Sequence, residues 1–307
     1  MIKKSNRFAF SGHDSFQCRL MWLKKGYDFL IRQNNDFNDD AAGIILGVGN
    51  NMVRSIRFWM RAFGLTDEKD RLTSFAHLIF GNETDEGLDP FLEDEATLWI
   101  LHYRLVATGY ASSYHLIFNE FRKNKIEFTR NDYLNFIKFK LEERSVVISE
   151  NSINEDFVVF IKMYLNHDAQ RDKEDSFSGI LTELGLLDFY VKQREDAKKE
   201  SENVFFIAAA ERDEIPEVAI LYSILENDHY QDSVNLNQLE VDENSPGSVF
   251  ALTRSGLSQK LRSIVKKYPD IVLSEQAGIR ELQFKTKLNS EQILRAYYAN
   301  QARYESV

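Results

Sequence analysis

The sequence predicts a mainly α protein with small β-hairpin wings, and three observations carry that prediction. Phe (23) and Tyr (13) are abundant while Pro (4) and Gly (14) are scarce, which favours long aromatic-packed helices over a turn-rich β protein. Apolar residues recur at helical spacing through most of the first 165 positions. Short β-type runs, Phe189-Tyr190-Val191, Val204 to Ile207, Ile271-Val272-Leu273 and Ile279 to Phe284, gather after residue 188.

The clearest element is residues 41–65, AAGIILGVGNNMVRSIRFWMRAFGL. Ala41, Ala42 and Gly43 are small, Gly47-Val48-Gly49-Asn50 breaks the first helix, and a second helix comes after it. There Val53, Ile56 and Met60, with Trp59 and Phe63, make one face apolar, while Arg54, Arg57 and Arg61 repeat on another. Buried stripe and guanidinium row together predict a helix-turn-helix with a recognition helix. Asn50, Asn51, Arg54 and Arg57 stand where base edges are read, and Arg61, Lys24 and Lys25 are candidates for phosphates. Residues 20–33 predict the preceding helix, and Asp39 is a candidate cap for the next. Lys3, Lys4, Arg7 and Arg19 around Ser11-Gly12-His13-Asp14-Ser15 read either as a basic arm or as a solvated terminus.

Residues 72–80 read as a short helix or the remnant of a wing. Glu83, Asp85, Glu86, Asp89, Glu93, Asp94 and Glu95 form an acidic group. Magnesium is one reading, but acids just ahead of a helix over 96–108 also stabilise its N-terminus, and that reading is preferred. Helices over 110–122, 133–141 and 153–165 carry aromatic stripes that read as core, with Thr129 to Asp132 as a cap. Charge replaces apolar residues over 167–176, dividing the chain into an N-terminal helix-turn-helix domain (1–109), a central helical region (110–175) and a C-terminal winged-helix-like module (176–307). In the last, a helix over 178–187 precedes a hairpin, Pro216 opens a helix to Glu226, and residues 254–268 form a basic helix ahead of a second hairpin turning at Gln276-Ala277-Gly278. Arg254, Lys260, Arg262, Lys266 and Lys267 give that helix a secondary basic face.

The rest narrows the chemistry. A net charge of −10 argues against a general nucleic-acid coat, so any basic face must act locally. The single Cys18 excludes an intrachain disulfide framework and a Cys-rich zinc site, and reads as structural. No apolar run is long enough to span a bilayer and the start lacks a signal-peptide core, so no membrane contact and a cytoplasmic location are expected. Gly47-Val48-Gly49 lacks the third glycine and the preceding strand of a dinucleotide loop, and neither a phosphate loop nor a Gly-x-Ser-x-Gly elbow occurs. His13, His77, His102 and His115 do not pair at zinc spacing; His102, inside Leu98 to Leu101, reads as a hydrogen-bonded core residue. No catalytic residue, metal site or cofactor is assigned.

Three blocks, FSGHDSFQCRLMWLKKGYDFL, DDAAGIILGVGNNMVRSIRFWMRAFGL and DPFLEDEATLWILHYRL, resemble in order the signature blocks of the bacterial domain-of-unknown-function 4007 family. Gln17 and Asn50 stand where that family commonly has proline and lysine. The resemblance implies a helical fold with winged-helix character and genes near sulfurtransferase-like genes of DNA phosphorothioate modification and phage defence. The expectation is therefore a non-catalytic, double-stranded-DNA-binding accessory or regulatory subunit of such a system, with a second copy of the chain and sulfurtransferase-like or other defence proteins as candidate partners. A protein-interaction scaffold without DNA contact is the alternative; a metal-dependent nuclease using Asp85, Asp89, Glu93 or Asp94 ranks last.

Overall fold

The computed structural model describes residues 2, 9–32, 35–82, 84–165, 178–193, 201–276 and 278–305. Lys3, Lys4 and Arg7 of the basic arm, Glu83, the expected boundary over 167–176 and Ala277 of the second hairpin turn lie outside them.

Helices α1 (Trp22–Ile31), α2 (Ala42–Leu46) and α3 (Asn50–Ala62) open the molecule, with α1 and α2 both packed on α3. Asp39 accepts the Ala41 amide at 2.8 Å just ahead of α2, which ends at Gly47 with a left-handed φ of 66°. A side chain at Gly43 is excluded by the Val48 carbonyl, which would lie 2.9 Å from its Cβ. The turn is tight because glycine occupies both ends of α2. Val53, Ile56, Trp59, Met60 and Phe63 are all buried, as their period predicts. The next element is again helical: after a single antiparallel bridge between Thr66 and Leu72, α4 (Ser74–Phe80) is capped by the Thr73 hydroxyl.

Helix α5 (Glu95–Thr108) is the centre of the molecule. Thirteen of its fourteen residues are buried, so it is covered on all sides rather than along one stripe. Asp94 caps its start and Gly109, at φ 63°, ends it. It packs on α3, on α6 (Ser112–Leu116) and on a helix of the C-terminal third. The helix expected over 110–122 is interrupted: α6 runs into a π-helical turn, Ile117–Phe121, and then α7 (Arg122–Asn124). Strand β1 (Glu127–Phe128) comes next, then α8 (Arg130–Glu143), opened by a reciprocal Thr129–Asp132 capping box, and α9 (Glu150–Tyr164).

Residues 178–187 are not a full helix; only the 3-10 turn Thr182–Leu184 forms, closed by Gly185 at φ 56°. Strands β2 (Asp188–Gln193) and β3 (Ser201–Phe206) make the expected hairpin, and β1 adds to β3 to give the order β1-β3-β2, all antiparallel. Pro216 precedes α10 (Glu217–Leu225), which packs on α5. Then come β4 (Ser233–Asn235), α11 (Leu236–Val241), α12 (Pro246–Val249), α13 (Arg254–Lys267), the hairpin β5 (Ile271–Gln276) and β6 (Ile279–Phe284), and α14 (Ser290–Glu305). The second sheet has the order β4-β6-β5. The result is mainly α with two small three-stranded antiparallel sheets. No helix among the described residues is long and apolar enough to cross a membrane.

Candidate nucleic-acid interface

On α3, Asn50, Asn51 and Arg54 are exposed. Arg54 donates from Nε to Asp14 Oδ2 (2.7 Å) and from Nη2 to Asn51 Oδ1 (2.8 Å). Arg57 and Arg61 converge on one carboxylate: Asp70 accepts Arg57 Nη2 at 2.7 Å on Oδ2 and Arg61 Nε at 2.8 Å on Oδ1. Arg57 also donates to Asn38 Oδ1 at 2.7 Å. Burial acts against the Arg61 charge, but hydrogen bonds to Tyr110 and Asp70 hold its pKa above the ordinary arginine value. Asp70 adopts φ 60°, a conformation that non-glycine residues seldom take. The arginine row is therefore not an open positive ridge. Its counter-charges are Asp14 and Asp70. On α1, Lys24 pairs with Asp28 at 2.5 Å, while exposed Lys25 donates to the Leu46 carbonyl at 3.4 Å and ties α1 to α2.

The α13 face differs. Lys260 is a correction to the basic face read from the sequence: it is buried, and its Nζ donates to the carbonyls of Asp213 (2.8 Å) and Ile215 (2.5 Å). It fastens the approach to α10 and is closed to a ligand. Arg254 pairs with Glu240 at 2.5 Å and Asn237 at 2.8 Å. Arg262 and Lys266 are exposed, and neither has an acidic partner within 4.0 Å among the described residues. Lys267 lies 6.0 Å from the Tyr268 ring centroid and 5.9 Å from that of Tyr297. With exposed Ser255 and Gln259, Arg262 and Lys266 fall on one side of the helix at steps of four, three and four. Sequence reading passed over Ser255 and Gln259 because uncharged residues between charges give no compositional signal.

The acidic group works inside the fold. Asp89 accepts the Glu93 amide (2.9 Å), the Asp94 amide (3.0 Å) and the Thr97 hydroxyl (2.6 Å). Asp94 accepts the Ala96 amide at 2.7 Å, and burial pushes its pKa up. Asp85 takes the Gly87 amide and Arg295, which together hold its pKa below the usual carboxylate range. Among the described residues no group of three His, Cys, Asp or Glu is placed to hold a metal ion. Cys18 is fully buried, and burial pushes its thiol pKa well up.

His13 is also structural. His13 stacks on Trp59 with ring centroids 5.7 Å apart and donates from Nε2 to Asp156 Oδ1 at 2.9 Å. Asp156 is buried and also accepts the Ser11 amide (3.3 Å), the Tyr133 hydroxyl (3.1 Å) and the Ser113 hydroxyl. This network fastens the FSGHDSF segment to α6, α8 and α9.

The family profile described as "Protein of unknown function (DUF4007)" matches residues 10–298, nearly the full length. The chain belongs to the DUF4007 family. Two solved structures resemble this DUF4007 chain, each 26% identical in sequence and each matching 96% of this chain and 89% of the other. They are a magnesium-ion-bound SspB, with a TM-score of 0.80, and SspB, with a TM-score of 0.79. No curated protein matches the sequence. In this DUF4007 chain Asp85, Asp89 and Asp94 are already engaged and are not open to a magnesium ion: Asp89 and Asp94 accept main-chain amides and Asp85 faces Arg295.

Proposed function

We propose that this protein is a non-catalytic, double-stranded-DNA-binding accessory or regulatory subunit of a bacterial DNA-modification or phage-defence system, and that α13 with the β5–β6 hairpin is its principal DNA-contacting element. The observation that carries this reading is the contrast between two basic helices. Arg57 and Arg61 on α3 share Asp70, whereas Arg262 and Lys266 on α13 stand exposed beside Ser255 and Gln259. The order α10, β4, α11, α12, α13, β5, β6, with β4 pairing to β6, supports a winged-helix reading, in which the helix before the hairpin enters the major groove. Arg262 and Lys266 then meet phosphates or guanine edges, and Ser255 and Gln259 can reach bases. The α2–turn–α3 unit reads as a helix-turn-helix that supplies a second, weaker contact through Asn50, Asn51, Arg54 and Lys25. A sulfurtransferase-like or other defence protein is the expected partner.

Fluorescence anisotropy with duplex DNA at two salt concentrations tests the reading. Arg262→Ala/Lys266→Ala is expected to weaken binding about tenfold or more and lower the salt slope by about two, since each phosphate contact contributes about one. Arg57→Ala is expected to change little. Wild-type protein that shows no salt-sensitive binding would sink the idea, as would a double variant that binds as well as wild type.

A protein-interaction scaffold remains the second reading. It is favoured by Ile44, which is 85% exposed on α2, with Ile45 beside it and Leu20 and Met21, just ahead of α1, also exposed. Co-purification of neighbouring gene products, lost on Ile44→Asp, would support it.

A further inference from the structure

The connection between α3 and α4, with α5, α10 and α14, encloses a cavity of about 420 Å³. Lys69, Ser74, Asn289 and Glu291 at its rim are exposed, whereas Phe75, Leu78, Arg104, Tyr222 and Leu294 are buried and form its floor. Arg104 is only 6% exposed, yet no carboxylate lies within 4.0 Å of it among the described residues. Its hydrogen bonds go to neutral acceptors: from Nε to the Phe63 carbonyl (3.0 Å), from Nη2 to the Gly64 carbonyl (2.8 Å) and from Nη1 to the Tyr222 hydroxyl (2.7 Å). Each Nη carries two N–H groups, so one on each is left unused. Tyr222 accepts from Arg104 and donates to nothing among the described residues. Burial raises its pKa to about 12 against the pull of Arg104, so the hydroxyl keeps its proton and can donate it to a hydrogen bond.

A buried cation without a counter-charge is costly, and an anion drawn into the cavity offsets that cost. The carboxylates of the wall do not serve, because they are engaged elsewhere: Asp67 with Arg71 at 2.5 Å, Glu291 with Arg295 at 3.1 Å and Glu226 with the Ser290 hydroxyl at 2.6 Å. Glu68 is exposed at the rim, as are Lys69 and Arg71, so the rim as a whole does not repel an anion. The unused donors of Arg104 and Tyr222 suit an oxyanion, which accepts several N–H and O–H bonds at once. The volume falls in the range of small-molecule sites and exceeds what a bare inorganic ion needs. Phe75, Leu78 and Leu294 offer an apolar surface to the rest of such a molecule. We propose that this cavity is a binding site for a small organic oxyanion, a phosphate monoester or a carboxylate, whose charged head is received by Arg104 and Tyr222.

Isothermal titration calorimetry on the full-length chain tests this with three probes of similar apolar body: phenyl phosphate, phenylacetate and the uncharged benzyl alcohol. At least one of the two anions is expected to bind saturably, one per chain and about tenfold or more tightly than benzyl alcohol, and the better anion identifies the head group. Tyr222→Phe removes one donor to a charged group and is expected to weaken that binding about tenfold. Ser74→Trp places a large ring at the exposed rim and is expected to abolish it while leaving the floor intact. Each variant is checked for wild-type circular dichroism; if Tyr222→Phe fails to fold, Ser74→Trp carries the test, because its position is exposed. Saturable binding by neither anion overturns the proposal. So does binding that neither substitution weakens, or benzyl alcohol binding as tightly as the anions.

Discussion

At the scale of single residues, the polar groups that look most like catalytic candidates in the sequence are engaged in holding the core together. His102 shows this most fully. Its Nε2–H donates to the Val249 carbonyl at 2.9 Å, so Nδ1 is left to accept from the Tyr164 hydroxyl at 2.8 Å. Burial pushes its pKa from 6.5 down to about 3, against the opposing pull of the Val249 carbonyl. The folded protein therefore binds fewer protons than the unfolded chain between those values, and stability is lost as pH falls below 6.5, by about 1.4 kcal/mol per pH unit, until about 3. Urea unfolding at pH 7, 6 and 5 should show that decline, and His102→Gln should flatten its share; an identical slope in the variant would remove His102 as the cause. Asp156 is the second case. With Ser11, His13, Ser113 and Tyr133 as donors, Asp156→Ala leaves buried donors unmet and should cost about 3 kcal/mol or more in urea unfolding. A loss below about 1 kcal/mol would show that water replaces the carboxylate there.

At the scale of elements, helix existence was legible where one face is apolar and a cap is written beside it. The Thr129–Asp132 cap and the Pro216 start both stand where the residues place them. Gly43 and Gly47 likewise set the turn between α2 and α3. A Cβ at Gly43 would meet the Val48 carbonyl at 2.9 Å and Asn50 Oδ1 at 3.1 Å, so Gly43→Ala should displace the start of α3. A loss of roughly 1–3 kcal/mol is expected from overpacking a backbone oxygen, read as a lowered melting temperature, and unchanged melting would show that the turn gives way freely. Other elements were not legible. The π-helical turn at Ile117–Phe121 has no sequence signal. Strand β1 is two residues long and exists only because β3 offers it an edge. Helix α14 does carry a readable pattern, Ile293, Leu294, Tyr297 and Tyr298 behind Asn289 and Ser290, that sequence reading passed over.

For the whole molecule, α5 explains why its parts are hard to separate by sequence. It contacts α3 on one side and α10 on the other, and its buried Arg104 joins them, donating to the carbonyls of Phe63 (3.0 Å) and Gly64 (2.8 Å) and to the Tyr222 hydroxyl (2.7 Å). The Arg104 guanidinium also lies 3.9 Å from the Phe75 ring centroid. The two proposed sites, α13 for DNA and the Arg104–Tyr222 cavity for a small oxyanion, lie on different elements. The DNA titration and the calorimetric titration can therefore fail independently.

The sequence by itself determined the helix-rich class, the two hairpins, the tight turn at Gly43 to Gly49 and the core role of His102, because periodicity, caps and glycine act over a few neighbouring residues. Only the tertiary structure decided which basic residues face outward. Arg57 and Arg61 share the helical spacing of a recognition face, yet both point at Asp70; Lys260 shares a basic helix with Arg262, yet it is buried against two carbonyls. Whether a charge meets solvent or a counter-charge depends on elements brought beside it by folding, and spacing along one helix carries no record of them.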